Sequence, residues 1–489
     1  PALPFVYAPV SSLKIGAAKL CETKMHRFLQ ICIVFACQVG GWSLQPSLSA
    51  RSRGRPALAA ARPPKRTEVV VSAEVAPATT PAPGSAAVQL ALCCAIGSFC
   101  SLDRVVMGVA IIPMAADLGF SETTKGLIAA AFSLGYGLGI APAGALVSKT
   151  GAPRRTLGGG LLAWSLAQAA TAPAAPMGIA PLLASRTAMG VGEAACLPSL
   201  QVIAATGVAA EDRSRFWGFL TASLSLGTIA AYALTPAIID WGGWPAAFYA
   251  CGGGGALLAF VWLATAGASE AAAPVEQEPR TLPWRRLAAS EPVWALAAAH
   301  AASNVFLYFS VAWLPSFFVD VFEDSTGSAS TASLLPFIAG AIAAVGAGTA
   351  SDAIAPTIGL TRTRKYAQSV ATLGPAASLT ALAVLEQGDM LSQPTAEALL
   401  VCAVATHACS CAGHGVGIQD ISKRDASLVY GVTTIAAVIA GASGQYLTGA
   451  ALDATNNDFA PVLLTISAVQ LAGLAAWWTW WDSSERVFE

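Results

Sequence analysis

Apolar runs of about 20 residues, separated by short polar segments, follow one another from residue 87 almost to the end of the chain. A helix of that length crosses the hydrocarbon core of a bilayer. The pattern therefore predicts an all-α, polytopic membrane protein with twelve spans, at 87–114, 124–147, 156–174, 179–205, 216–239, 244–267, 292–319, 331–351, 366–387, 396–418, 427–451 and 459–481.

The basic residues of the loops lie almost entirely on one side of this arrangement. If the chain before residue 87 is on side one, the even-numbered loops are also there. An excess of Lys and Arg is typical of the loops on the cytoplasmic side of a membrane protein. A miscounted helix would distribute the basic residues over both sides. We therefore expect twelve helices with both chain ends on side one. The odd loops hold only Lys125, whereas the even loops hold Lys149, Arg154, Arg155, Arg213, Arg215, Arg280, Arg285, Arg286, Arg362, Arg364, Lys365, Lys423 and Arg424.

Composition supports the membrane interpretation. The chain is 55% hydrophobic and 11% charged, with a mean hydropathy of +0.61, whereas soluble domains are about 25% charged. The eleven cysteines lie in residues 1–86 or in predicted spans, which argues against an extracellular disulfide framework. We expect the lipid bilayer as a partner and no nucleic acid.

Residues 1–86 have a different character, with ten Lys and Arg against three Asp and Glu. A basic start at Met25 leads into an apolar run of signal-peptide length, followed by the Ser-, Ala- and Arg-rich SLSARSRGRPALAAARPPKRT. Such a sequence is typical of a two-part plastid presequence, and Met25 is a candidate start of the chain. The alternative is a disordered basic tail preceded by one extra helix at 29–44.

The remaining chain divides into two six-helix halves, at 87–267 and 291–489, joined by a Pro- and Glu-containing linker at 268–290 on the inner side. A weak repeat supports the division. GALVSKTGAPRR after the second span and GTASDAI…TRTRK after the eighth both place a glycine and a basic cluster at equivalent positions. Parallel six-helix repeats are typical of one large class of transporters.

Two arginines and two acids lie well inside the first and fourth predicted spans: Asp103, Arg104, Arg186 and Glu193. A central arginine costs about 2.5–3.5 kcal/mol on insertion scales, and packing does not require it. Arg186 and Glu193 share a helix face but lie about 10 Å apart along the axis, so they cannot pair with each other. Each needs a partner on another helix, in water or in a substrate.

These charges allow two interpretations. Arg104 and Arg186 around one water-filled cavity would form an anion site, because guanidinium binds phosphate or carboxylate bidentately and stays charged. Alternatively, Arg104 pairs with Glu193 and Arg186 with Asp103 in structural ion pairs, and both interpretations can hold together. A buried Glu193 could also couple proton movement to transport; Asp103 points to another face than Arg104 and suits this role less.

The segment THACSCAGHG places His407, Cys411 and His414 on one face if it is a continuous helix. Such ligands suit soft metals, but a helix interior of small residues gives the same letters, and we expect no metal. A proton-sensitive role of His407 or His414 in the cavity is the preferred alternative.

Several segments resemble the anion:cation symporter branch of the major facilitator superfamily, in particular the plastid phosphate/anion transporters of plants and algae. The DR pair together with SR…MGxGE is the most specific part of the resemblance, which covers about 87–489. The matching segments are CSLDRVVMGVAIIPMA, LLASRTAMGVGEAACLPS, EDRSR, GWPAAFY, EPVWAL, WLPSFF and QDI.

The resemblance implies roles for individual residues. Arg104 and Arg186 match the anion-binding arginines, Tyr136 matches a tyrosine lining the path, and Glu193 matches a glutamate linked to coupling or gating. We expect Lys149, Arg154 and Arg155 to help close the inner gate, with Asp103 as a second candidate coupling group.

The sequence departs from the family at Ile140, Ser148, Ser303 and Gly417-Ile418. Ser303 replaces the seventh-helix arginine of the glutamate carriers, which favours the plastid group. The other departures leave the identity of substrate and driving ion open.

The resulting expectation is a monomeric secondary transporter of a plastid membrane, with both ends on the stromal side. It would carry inorganic phosphate or a small organic anion together with Na⁺ or H⁺, without a bound cofactor. The rival interpretations are a carrier of neutral or cationic solutes with structural arginines, and a transporter-derived sensor. An enzyme is not expected, because no clustered acids, histidines or nucleophile lie at the membrane face.

Overall fold

The computed structural model describes residues 83–208, 213–265, 284–421 and 426–484. These ranges contain helices and no strand. In addition to two short 3₁₀ segments, the helices are α1 (Pro83–Leu118), α2 (Glu122–Thr150), α3 (Pro153–Ala174), α4 (Ile179–Glu193), α5 (Cys196–Gly207), α6 (Arg213–Thr265), α7 (Trp284–Ala289), α8 (Glu291–Phe322), α9 (Thr326–Ile358), α10 (Leu360–Gln387), α11 (Gln393–His407), α12 (His414–Ile421), α13 (Ala426–Thr455) and α14 (Ala460–Trp480).

The helices account for all twelve predicted spans, with three differences in how spans and helices correspond. Helix α6 contains both the fifth and the sixth span, separated only by the non-helical Gly242 and Gly243. Gly243 has a φ of 73°, a left-handed conformation that glycine adopts without steric cost. The fourth span is divided between α4 and α5, and the tenth between α11 and α12.

Within the described ranges, nine helices are long and apolar enough to cross a membrane by length and composition. This set counts α6 once although it holds two spans, and it counts the stretch from α11 to α12, Gln393–Ile421, as one. It leaves out α3 and the divided α4–α5, which belong to the N-terminal half. The predicted presequence lies outside the described residues up to position 82. The linker is described only from residue 284, where it forms the short helix α7.

Local sequence signals explain the tight connections. Ser121 caps α2, its Oγ accepting the N–H of Thr124 at 3.3 Å, and Ser325 caps α9 in the same way through Ser328 at 3.2 Å. Gly151 ends α2 with a φ of 60°, the left-handed C-cap that glycine favours. Adjacent helices are therefore joined by turns of a few residues.

Each half has its own packing. In the N-terminal half α3 packs against α4 and α6, and α2 packs against α4. In the C-terminal half α8 packs against α13 and α14, and α10 packs against α11 and α14. Two pairs make the most extensive contacts between the halves: α2 with α13, and α6 with α9.

The halves meet at the end of the molecule that carries the odd-numbered loops. There, Asp453 of α13 accepts the backbone N–H groups of Glu122 at 3.0 Å and Thr123 at 2.8 Å, at the start of α2. At the opposite end of α2, Leu146 and Lys149 are exposed. The structure thus shows two helical halves that are closed against each other at the odd-loop end.

Candidate functional site

A cavity of about 220 Å³ lies between the two halves. The three residues predicted to bind substrate, Arg104, Tyr136 and Arg186, all line it from the N-terminal half. Tyr308 and Gln445 are among the residues that line it from the C-terminal half. The structure therefore brings together side chains that are distant in sequence, with both cationic arginines supplied by the same half.

Arg104 is ion-paired. Its Nε donates to Oε1 of Glu193 at 2.5 Å, and a terminal guanidinium nitrogen contacts the same oxygen. The thiol of Cys100, one turn earlier on α1, also donates to this oxygen at 3.2 Å. Glu193 is fully buried, whereas a third of the Arg104 side chain is exposed. The guanidinium can therefore reach a ligand while it holds its carboxylate partner.

Arg186 has a different environment. Its side chain is buried, and a terminal nitrogen donates to Oε1 of Gln168 at 2.8 Å and lies 2.9 Å from the sulfur of Met189. Its Nε has no hydrogen-bond partner. In the described part of the chain, no carboxylate oxygen lies within 4.0 Å of this guanidinium. Because a buried charge without a counter-charge is costly, this arrangement favours binding of an anion.

Asp103 is fully buried on the other side of α1. The indole N–H of Trp164 donates to it at 3.0 Å, and the amide of Gln168 donates at 3.3 Å. Gln168 thus stands between Asp103 and Arg186. Of the two predicted ion pairs, the structure contains Arg104–Glu193 as a direct contact. Arg186 and Asp103 do not pair directly; both form hydrogen bonds with the side-chain amide of Gln168 instead.

Phe132 is a site residue that the sequence analysis did not identify. Its ring centroid lies 5.6 Å from the guanidinium carbon of Arg104 and 5.4 Å from that of Arg186. The ring of Tyr136, one turn further along α2, lies 4.8 Å from Arg104. Aromatic faces stabilise cations at such distances. The four-residue spacing of Phe132 and Tyr136, which places both rings on one face of a helix, is the sequence signal that could have identified Phe132.

The predicted inner-gate residues lie at the junction of α2 and α3, away from the cavity lining. Lys149 and Arg155 are exposed, and Arg154 donates to the side-chain oxygen of Gln89 on α1 at 2.6 Å. Their gating role stays a prediction. In the C-terminal half, Arg364 is buried and pairs with Asp420 at 2.7 Å.

The continuous helix predicted for the tenth span is wrong. Helix α11 ends at His407, a 3₁₀ turn follows, and α12 begins at His414. His407 packs on Phe306, with ring centroids 4.9 Å apart, while His414 packs on His300 at 5.0 Å. Cys411 is exposed and directed to the carbonyl of Ala344, so the three residues share no face. The described ranges hold no group of three or more potential metal ligands.

Comparison with known proteins agrees with this geometry. The chain is 31% identical over 415 residues to the sodium-dependent phosphate transport protein 1, chloroplastic, of Arabidopsis thaliana, covering 81% of this chain and 79% of that protein. It is 30% identical over 402 residues to the ascorbate transporter, chloroplastic, of the same plant, covering 79% and 73%.

The fold matches as well. A solved D-xylose–proton symporter superimposes with a TM-score of 0.66 at 14% identity, covering 82% of this chain and 99% of that one. The sequence profile of the Major Facilitator Superfamily matches residues 93–445. The chain therefore belongs to the Major Facilitator Superfamily, a family of transporters rather than enzymes, and its relatives there are chloroplastic phosphate and anion transporters.

Proposed function

We propose that this protein is a secondary active transporter of a plastid membrane that carries inorganic phosphate or a small organic anion. The main supporting observation is Arg186, a buried guanidinium that lines the cavity without a carboxylate partner in the described residues. The names of the relatives, which specify phosphate, ascorbate and other anions, support the same substrate class.

The substrate anion would bind between Arg104 and Arg186. A phosphate or carboxylate is a bidentate acceptor for a guanidinium fork, and both forks lie against the ring of Phe132. Tyr136 and the C-terminal half supply neutral donors. Binding would therefore place the negative charge against the N-terminal half and the remainder of the substrate against Tyr308 and Gln445.

Transport would proceed by rocking of the two halves around this site. The described state is closed at the odd-loop end, which faces away from the stroma if the basic loops lie on the stromal side. The opposite state requires the contacts between α2 and α13 near Asp453 to separate. Coupling to Na⁺ or H⁺ belongs to the proposal, and Glu193 is a candidate group for it, because one of its oxygens has no partner.

Labelled phosphate uptake into proteoliposomes tests this function, with imposed Na⁺ or H⁺ gradients and with ascorbate as a competitor. The key variant is Arg186→Gln and the matched control is Arg362→Gln, an exposed arginine of the same chain. Hydrogen bonds to charged groups contribute about 1.5–3 kcal/mol, so Arg186→Gln should weaken apparent affinity about 10–150-fold. Uptake unchanged by Arg186→Gln would contradict the site.

One alternative has an observation in its favour. The Arg104–Glu193 contact is also what a purely structural ion pair would look like. Phosphate and organic anions would not inhibit uptake by a carrier of neutral or cationic solutes whose arginines are structural. Competition by a panel of anions in the same vesicles distinguishes the two, because only the anion carrier is inhibited.

A further inference from the structure

The C-terminal half contains a second polar site, formed by two histidines from different helices. The rings of His300 on α8 and His414 on α12 lie 5.0 Å apart and are tilted by 30°. His300 lies about 10 Å along α8 from Leu307, a cavity-lining residue, since seven residues separate them. The pair therefore sits between the cavity and the basic-loop end.

Hydrogen bonding fixes which nitrogen of His414 carries the proton. Oε1 of Gln368 accepts the backbone N–H of His414 at 3.1 Å, and this fixes the orientation of the amide. The same oxygen lies 3.1 Å from Nδ1 of His414. Because a carbonyl oxygen can only accept, Nδ1 must carry the hydrogen, and Nε2 of the neutral ring is left as an acceptor.

The same argument applies to His300. The hydroxyl of Thr433 donates its single hydrogen to the carbonyl of Tyr430 at 3.1 Å. Its oxygen then accepts toward Nδ1 of His300, 3.5 Å away, and on this basis we assign the hydrogen of His300 to Nδ1 as well. Both imidazoles therefore present an unprotonated Nε2.

Neither Nε2 has a partner in the described part of the chain. Nδ1 of His407 is both sealed from solvent and without a hydrogen-bond partner. Neither of the two Nε2 atoms is sealed in this way. A proton arriving on one Nε2 makes that ring a donor to the other, directly or through water. A second proton would be opposed by the charge of the first.

Among the described residues of the neighbouring helices, Arg364 and Asp420 pair with each other, and α14, which packs on α8, has no ionisable side chain. The ring of Tyr430 on α13 lies 6.3 Å from that of His300. Other titratable or charged groups on the described helices around the pair include Tyr308 on α8, Arg364 on α10, His407 on α11 and Asp420 on α12.

We propose that His300 and His414 form a single proton-binding site of the C-terminal half, reached from the basic-loop side, that binds the co-transported proton. The assignment of the coupling ion rests on the proposed transport function. Proton binding by the pair itself does not depend on it, and the two are tested separately.

Proton binding is measured by ¹⁵N NMR of the full chain in lipid nanodiscs with labelled histidine. The chain has four histidines, so single His→Gln variants assign every signal. We expect His300 and His414 to be Nδ1-protonated at alkaline pH and to titrate together, with His300→Gln shifting the titration midpoint of His414. His26→Gln, a change in the predicted presequence, is the control and should leave both midpoints in place. Independent titration, or the opposite tautomer, would overturn the proposal.

Coupling is measured in vesicles whose internal and external pH are set separately. The uptake rate should change with pH on the basic-loop side by up to about tenfold per unit, the limit for one linked proton. The variant His300→Gln/His414→Gln should lose this dependence, whereas Arg362→Gln, the exposed control of the uptake assay, should keep it. Uptake that depends on Arg186 but keeps its pH dependence in the double variant overturns the coupling role alone. Absence of any anion uptake refutes the proposed function and leaves the NMR result to decide proton binding.

Discussion

Arg104 and Arg186 lie against the same phenyl ring, that of Phe132, at 5.6 and 5.4 Å, yet among the described residues only Arg104 has a carboxylate partner. The two arginines are therefore not equivalent. In the proposed site Arg186 would offer an uncompensated charge to the anion, whereas Arg104 also neutralises Glu193. Replacing Arg104 should therefore have a different physical consequence from replacing Arg186.

The first prediction concerns the Arg104–Glu193 pair. Arg104→Gln removes one cation and also leaves a buried carboxylate that repels the substrate. The variant Arg104→Gln/Glu193→Gln should recover part of the lost affinity and stability, with a coupling energy of about 0.5–3 kcal/mol. The measurements are apparent affinity in uptake assays and thermal unfolding in detergent. Strictly additive effects in both would show that the contact has no energetic consequence.

The second prediction concerns Phe132. Cation–π contacts contribute about 0.5–2 kcal/mol, so Phe132→Leu should weaken apparent affinity for the anion about 2–30-fold. Phe132→Tyr keeps an aromatic face and should stay near wild type. The affinities of both variants are measured by uptake at varied substrate concentration. Equal affinities for Leu and Tyr at this position would show that only the size of the side chain matters.

The third prediction concerns closure at the odd-loop end. Asp453 accepts two backbone N–H groups at the start of α2, where a capping side chain contributes about 0.5–2 kcal/mol. Asp453→Ala should therefore increase hydrogen–deuterium exchange of the Glu122 and Thr123 amides, as seen by mass spectrometry.

Asp458→Ala is the matched control for this prediction. Asp458 is also at the odd-loop end, but it caps only the start of α14 within its own half, through the N–H of Ala460 at 2.9 Å. Its loss should leave exchange in α2 unchanged. Equal protection of α2 in wild type and Asp453→Ala would mean that this carboxylate does not hold the halves together.

The fourth prediction concerns the contact that positions the aromatic residues. A Cβ at Gly190 of α4 would collide with the backbone of Phe132 and Tyr136 on α2. Backbone atoms cannot move aside as side chains do, so Gly190→Ala should destabilise the protein by about 1–3 kcal/mol and reduce uptake. Gly144→Ala, where a Cβ meets nothing within 4 Å, should preserve both. Thermal unfolding and uptake of the two variants give the comparison.

Sequence patterns predict most of this architecture, because the length of an apolar run and the charge of a loop are local properties. They place the fifth and sixth spans on either side of residues 240–243, but they do not reveal that both belong to one helical stretch, α6, interrupted only at Gly242 and Gly243. Nor do they reveal the ends of α11 and α12, where small residues permit either a helix or a turn.

The site shows the same limit. The arginines stand out because a charge in a membrane span is costly, and the structure brings both to one cavity. Their partners depend on how the helices are rotated about their axes, and the residue sequence leaves several pairings open. Gln168 links Arg186 to Asp103, yet a neutral amide in an apolar span gives no comparable signal. His300 meets His414 only because two helices converge.

The turns described at the odd-loop end also determine what a protease can reach. Residues 119–121 and 323–325 are the entire connections between α1 and α2 and between α8 and α9. The single basic residue at this end, Lys125, lies inside α2 and is paired with Glu122. Trypsin added from this side should therefore leave the chain intact. Added from the other side, it meets the exposed Lys149, Arg155, Arg285 and Arg362. Cleavage in intact vesicles would thus report which way round the protein is inserted.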